Sequence, residues 1–190
     1  FQAEDGIRDL VRSRGLGVCI RDSSMPNDER NLETLPDGAL GLIPLESCKE
    51  LGLKVDKYLV GWREKRQHQH ASDLAFKDYR RDSYIISTAV PRFGTGEAKG
   101  VIKESVRGYD LYLMVDVTNY SLTYSVCGHE NHMSPDDHYA DLKRIIAAVG
   151  GKARRITVII PFLYESRQHK RTSRESLDCA LALSLIHISE

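Results

Sequence analysis

The chain has 190 residues, with 27 Lys and Arg against 27 Asp and Glu, so its formal charge is zero and no global field draws it to a polyanion. Its length suits one ordinary domain, and a hydrophobic content of 41% is enough for a packed core. No stretch reaches the ~20 apolar residues of a membrane span, and Cys19, Cys48, Cys127 and Cys179 lack the C-x-x-C spacing of a metal or disulfide framework, so the expectation is a cytoplasmic protein with reduced thiols.

The opening FQAEDGIRDLVRSRGLGVCIRDS and the closing SLIHISE resemble translated sequencing-adaptor sequence, which divides the chain into a non-native leader (1–23), one domain (24–183) and a non-native tail (184–190). Residues 27–37 are polar between prolines and read as a loop. From 46 to 62, Leu51, Val55, Tyr58, Leu59 and Trp62 recur at spacings of three and four, the pattern of an amphipathic helix, which Gly52 weakens. Residues 63–73 are charged and aperiodic, and His68 and His70 read as surface groups. SYIISTAVP (83–91) is β-branched and aromatic and ends in proline, a strand signal.

The glycine-rich stretch up to Tyr109 suggests a bent hairpin or edge strand. LYLMVDV (111–117) is nearly all apolar, as in a strand covered on both faces. A long polar connection (118–135) follows. Ser134-Pro135-Asp136-Asp137 then opens a helix with a capping serine, an early proline and acids where the dipole favours them. Tyr139, Leu142, Ile145, Ile146 and Val149 give it one apolar face, and Gly150-Gly151 ends it. RRITVIIPF supplies a second buried strand (155–162), and 173–183 reads as a helix. This order of elements is a βαβα unit, so the fold class is α/β with a partly parallel sheet whose ligand edge lies beyond the strands' carboxyl ends. Two loops reach that edge, one from Thr118 onward and one from Pro161 onward.

The second of these, PFLYESRQHKRTSRES, places a basic cluster after an apolar run. Taken alone, it is compatible with a solvated helix start, a phosphate site or a nucleic-acid patch. Basic side chains at a helix start oppose the dipole unless an anion is bound there. Zero net charge and the lack of interleaved aromatics beyond Tyr164 argue against nucleic acid.

Two motifs carry a family resemblance. RFGTGEAKGVIKESVRGYD resembles the R-F-x-D-G-E … V-R-G-x-D stretch of ribose-phosphate pyrophosphokinases, and ITVIIPFLYESRQHKRTSRES resembles their I-x-x-V-I-P-Y-x-x-Y-A-R-Q-D-x-K segment, in the same order and at a similar separation. The resemblance spans roughly 43–183. It implies a phosphoribosyltransferase-type α/β fold, a mainly parallel sheet flanked by helices, of which this chain holds an incomplete amino-terminal portion. It also implies transfer of the β,γ-diphosphoryl group of ATP to the 1-hydroxyl of ribose 5-phosphate with magnesium, in the service of nucleotide biosynthesis. Homo-oligomers are implied too, because the family's adenine sites are shared between subunits.

By the resemblance, Arg167 and Gln168 contact ATP, while Phe93, Thr95 and Glu97 hold adenine, usually from a neighbouring subunit. Such residue types suit nucleotide binding, since a guanidinium stacks on a purine or forks onto phosphates and a glutamine both donates and accepts. Lys170, Arg171 and Arg174 are candidate phosphate contacts. The sequence departs from the family at Thr95, where an acid or amide is usual, at His169 and Ser176, and in the longer 118–135 connection. The family's pyrophosphate loop, metal-binding histidine and catalytic lysine-arginine loop have no match here, so no catalytic residue or magnesium ligand is assigned, and the chain by itself is expected to be inactive. A non-catalytic regulatory or assembly paralogue of the same fold is the alternative. Cys127, His129, His132, Asp136 and His138 crowd a dozen positions but lack regular zinc spacing and read as an inserted solvated loop. Asp116, near a strand end, is a further ligand candidate.

Overall fold

The computed structural model describes residues 18–19, 38–65 and 80–188. The loop expected at 27–37 and the histidines His68 and His70 lie outside the described residues. In chain order the elements are β1 (Val18–Cys19), β2 (Ala39–Pro44), a 3₁₀ turn (Glu46–Cys48) leading into α1 (Lys49–Lys65), β3 (Thr88–Ala89), β4 (Val101–Ile102) and β5 (Tyr109–Met114). Then come β6 (Thr123–Val126), β7 (His129–His132), α2 (Pro135–Val149), β8 (Arg155–Ile160) and α3 (Asp178–Ile188).

The main sheet has the order β1-β8-β5-β2. β2, β5 and β8 run parallel, with Leu42 opposite Tyr112 and Leu113 opposite Val158, and β1 closes one edge antiparallel to β8. At the other edge Leu42 N–H donates to the Tyr84 carbonyl and Ile86 N–H donates to the Leu42 carbonyl, so residues 84–86 extend the sheet by a bridge. Successive strand residues point to opposite faces. Ile43, Leu111, Leu113 and Ile160 share one buried cluster with Tyr139, Leu142, Ile145, Ile146 and Val149 of α2 and with Ala182 and Ile186 of α3. Pro44, of the opposite parity, lies under Gly52 of α1. Helices therefore flank both faces, as the α/β reading expected.

Cap chemistry holds α2 where the sequence placed it. Ser134 Oγ accepts from Asp137 N–H and the Asp137 carboxylate accepts from Ser134 N–H, a reciprocal capping box, with Pro135 in the first turn and Gly150 in the left-handed conformation at φ 58°.

Several expectations need correction. SYIISTAVP contributes only the two residues of β3 and the single bridge at Ile85, because it passes the sheet edge and then pairs with β4. The polar connection 118–135 contains a second hairpin: β6 and β7 pair from Thr123–His132 to Val126–His129 around a two-residue turn in which Cys127 has φ 50° and Gly128 φ 84°. Two positive φ values at a two-residue turn match the twist of the strands they join, so a polar, two-sided ribbon forms without a buried face to announce it. The last helix begins at Asp178, not at 173, because Glu175 accepts from Thr172 N–H and from the hydroxyls of Thr172 and Ser173, holding them in a local turn.

The apolar stripe of α1 does not form the helix's packing face. Leu51, Tyr58 and Trp62 are exposed, and the buried helical positions are Gly52 and Asp56. Close approach to Pro44 requires a residue without Cβ at 52, since an added Cβ would sit 2.3 Å from Pro44 Cβ. Asp56 in turn accepts from Ser83 Oγ at 2.8 Å and from Tyr84 N–H at 2.7 Å, fixing the segment that borders β2.

Candidate functional site

At the carboxyl edge of the parallel strands the chain leaves β2 into Glu46 and Ser47, β5 into Asp116 and Thr118, and β8 into the 161–177 loop. Polar side chains lock the first two turns together. Asp116 N–H donates to Ser47 Oγ at 3.1 Å, and Asp116 Oδ1 accepts from the Thr118 N–H and hydroxyl at 2.8 and 2.6 Å. Asn119 donates from its side chain to the Ser47 carbonyl at 3.1 Å, and its own carbonyl accepts from His138 Nε2 at 2.7 Å. Asp116 thus organises a turn. Beneath it, burial and then the Asp116 charge push the Cys48 thiol up to about 11, which leaves Cys48 an inert core group. Cys48, Cys127 and Cys179 are free thiols.

Between the second and third loops lies a cavity of about 390 Å³, lined by Val117, Thr118, Tyr120, Pro135, Phe162, Tyr164, Glu165, Ser166 and Arg167. Tyr164 is part of this lining. Its ring stacks on Tyr139 with centroids 4.3 Å apart and 9° between planes, and its hydroxyl donates to Asp136 at 2.7 Å. Burial, and then that hydrogen bond, raise the Tyr164 pKa well above the usual tyrosine range, so the hydroxyl stays a donor. Glu165 holds a φ of 57°, uncommon for a residue with a side chain, where the backbone turns back toward Arg167.

Of the ATP candidates, Arg167 lines this cavity, whereas exposed Gln168 uses its backbone: its N–H donates to the Glu165 carbonyl and its carbonyl accepts from Cys179 N–H at the start of α3. Lys170, Arg171 and Arg174 are exposed along the same loop and precede α3, so the basic residues do not sit on a helix start.

Phe93, Thr95 and Glu97 are elsewhere. They occupy a tight turn in which Phe93 N–H donates to the Glu97 carbonyl at 2.7 Å and Gly96 N–H donates to the Phe93 carbonyl at 2.9 Å. The tip of the β6–β7 hairpin braces it, Cys127 N–H donating to the Gly94 carbonyl at 2.9 Å. Phe93 is 50% exposed, and the Thr95 hydroxyl reaches Glu97 at 3.3 Å. The candidate residues thus divide between two surfaces, one around the cavity at Arg167 and one on the turn at Phe93, and none of residues 93–97 lines that cavity.

Arg92, which sequence reasoning passed over, anchors the second surface. It donates to Asp141 at 2.9 Å, lies 3.8 Å from Asp137 and sits over the Tyr124 ring at 4.4 Å. Asp141 takes a second donor in Arg144 at 2.7 Å, yet burial still raises its pKa against the pull of both arginines. The suspected Cys-His cluster disperses: His129 and His132 lie exposed on β7, Asp136 serves Tyr164, and His138 is buried against Asn119. Among the described residues no group of three or more His, Cys, Asp or Glu is placed to hold a metal ion. Among them, too, no helix is long and apolar enough to cross a membrane.

Parallel strands flanked by helices, with the loops after β2, β5 and β8 gathered at their carboxyl edge, define an α/β domain. Residues 40–189 match the family model for the N-terminal domain of ribose phosphate pyrophosphokinase, and the chain belongs to that family. It is also similar to the crystal structure of phosphoribosylpyrophosphate synthetase from Mycobacterium smegmatis, with a TM-score of 0.57 and 22% identity over 79% of this chain and 39% of that one. At that identity the likeness is one of fold, and the chain spans about two fifths of the solved relative's length. No curated protein matches the chain.

Proposed function

We propose that the chain is the ATP-holding amino-terminal portion of a ribose-phosphate diphosphokinase, an enzyme that moves diphosphate from ATP to ribose 5-phosphate. The observation that carries this reading is Arg167: within a chain of this family, the arginine of the Arg-Gln motif lines a partly aromatic cavity at the carboxyl edge of the sheet.

Local electrostatics decide how a nucleotide would lie. A helix N-terminus is ordinarily a phosphate site, but the start of α2 is already occupied by its own Asp136 and Asp137. Glu165 adds a further acid to the cavity wall. The triphosphate is therefore directed away from α2 toward Arg167, Lys170, Arg171 and Arg174, leaving the base and ribose to the aromatic side. Phosphoryl transfer asks a protein mainly for positioning and positive charge, which this loop offers.

The turn at Phe93, Thr95 and Glu97 would act on the base held by another copy of the chain, which makes a homo-oligomer part of this reading. Thr95 supplies a hydroxyl where the family pattern has a stronger acceptor, so base discrimination falls to Glu97 and to the cavity. Magnesium would enter with ATP, and no role toward it is assigned to the described residues. Calorimetric titration with ATP tests the assignment. Arg167→Ala is expected to weaken binding by about tenfold or more and Phe93→Ala by a smaller factor, as expected for loss of a charged contact and a stacking face. Affinities unchanged in both variants would remove the nucleotide reading of these motifs.

A further inference from the structure

Tyr120 stands in the connection after β5 and is 58% exposed although the backbone around it is held from several sides. The Asn119 carbonyl accepts from buried His138 at 2.7 Å, and the Asn119 amide donates to the Ser47 carbonyl at 3.1 Å. Ser121 donates from its N–H and its hydroxyl to Asn119 Oδ1 at 3.0 and 2.6 Å, and the Tyr120 carbonyl accepts from His132 Nδ1 at 2.9 Å. These bonds fix the main chain on both sides of the residue while the ring contributes little to the core. Tyr120 lines the same cavity as Phe162, itself 48% exposed, and Arg167.

Resting on the nucleotide reading above, we infer that Tyr120 is a base-stacking wall of the ATP site, contributed by the chain itself from the connection between β5 and α2. Three properties converge on a base at this place. The lining includes three aromatic residues, Tyr120, Phe162 and Tyr164. Glu165 in the lining, and Asp136 bonded to the Tyr164 hydroxyl, disfavour a phosphate on that side. A tyrosine on a pre-set backbone presents a flat face with few rotors left to order, so less of the stacking energy is lost on binding. Because every base has a π-face, such a wall supports adenine without selecting it, which suits a chain with Thr95 in its adenine turn.

The test is calorimetric titration of the 190-residue chain with ATP and, separately, with inorganic tripolyphosphate. Tyr120→Ala is expected to weaken ATP by about tenfold, the loss of one stacked base, and to leave tripolyphosphate binding as in the unmodified chain. Tyr120→Phe is expected to restore ATP affinity, because the ring and not the hydroxyl makes the contact. If Tyr120→Ala binds ATP normally while Arg167→Ala is weakened, the inference about Tyr120 is overturned and the nucleotide reading stands. An equal loss for tripolyphosphate also overturns it, since a base contact cannot govern a ligand without a base. Failure of the unmodified chain to bind ATP removes the nucleotide reading and this inference with it.

Discussion

Arg92 and Phe93 are neighbours in sequence with opposite fates. The phenylalanine is exposed on a turn, while the arginine is drawn inward to Asp141, Asp137 and the Tyr124 ring. Truncating one member of a buried ion pair costs more than the pair is worth, because its partner is left charged in a poor solvent. Arg92→Ala is therefore expected to lower stability by about 3 kcal/mol in urea unfolding, with Arg144 limiting the loss by remaining on Asp141. A change below about 0.5 kcal/mol, the range of an ordinary surface substitution, would show that the network is not holding the turn. Residue types in the motifs were legible from sequence, and so was the capping serine Ser134, whose contact lies three residues away at Asp137. The partner of Arg92 was not legible, since Asp141 lies on another element 49 positions away. Tyr120 was equally hidden, as nothing in a polar stretch tells which side chain turns toward a cavity.

At the scale of elements, periodicity succeeded where burial is one-sided and local. α2 shows its apolar face in sequence because that face meets the core, and the apolar runs of β5 and β8 mark the two central strands of the sheet. α1 misled for a physical reason: Leu51, Tyr58 and Trp62 share a flank, but the sheet selects Gly52 for close approach and Asp56 for its hydrogen bonds. β2 was missed because ALGLIP is short and carries a glycine and a terminal proline, and the β6–β7 ribbon because it has no buried face. The two glycines of α1 separate propensity from packing. Alanine in a helix interior gains about 0.8–1.0 kcal/mol over glycine. At Gly61 an added Cβ meets nothing within 4 Å, so Gly61→Ala is expected to stabilise by about that amount. At Gly52 the same Cβ would lie 2.3 Å from Pro44 Cβ, and overpacking of ~1–3 kcal/mol is expected to outweigh the gain. Thermal unfolding of both variants checks the pair, and equal shifts of the same sign would contradict the placement of α1.

Across the whole molecule, strand order and parallel pairing put the loops after β2, β5 and β8 on one edge; the loops after β5 and β8 were legible there once two buried strands and the helix between them had been recognised, whereas the loop after β2 was not, because that strand was missed. The division of the motif residues into two surfaces was not, because sequence order does not say which loops share a cavity and which face outward. That division is the physical basis for reading the Phe93 turn as a surface that serves another copy, and the Arg167 loop as the part that holds nucleotide in its own chain. On this reading the chain holds ATP but does not itself complete the transfer. The most direct measurement follows phosphoribosyl pyrophosphate formation by the purified chain with ATP, ribose 5-phosphate and magnesium, alongside ATP binding in the same preparation. Saturable ATP binding with no product is the expected result. Product formation by the chain alone, or an absence of ATP binding, would contradict it.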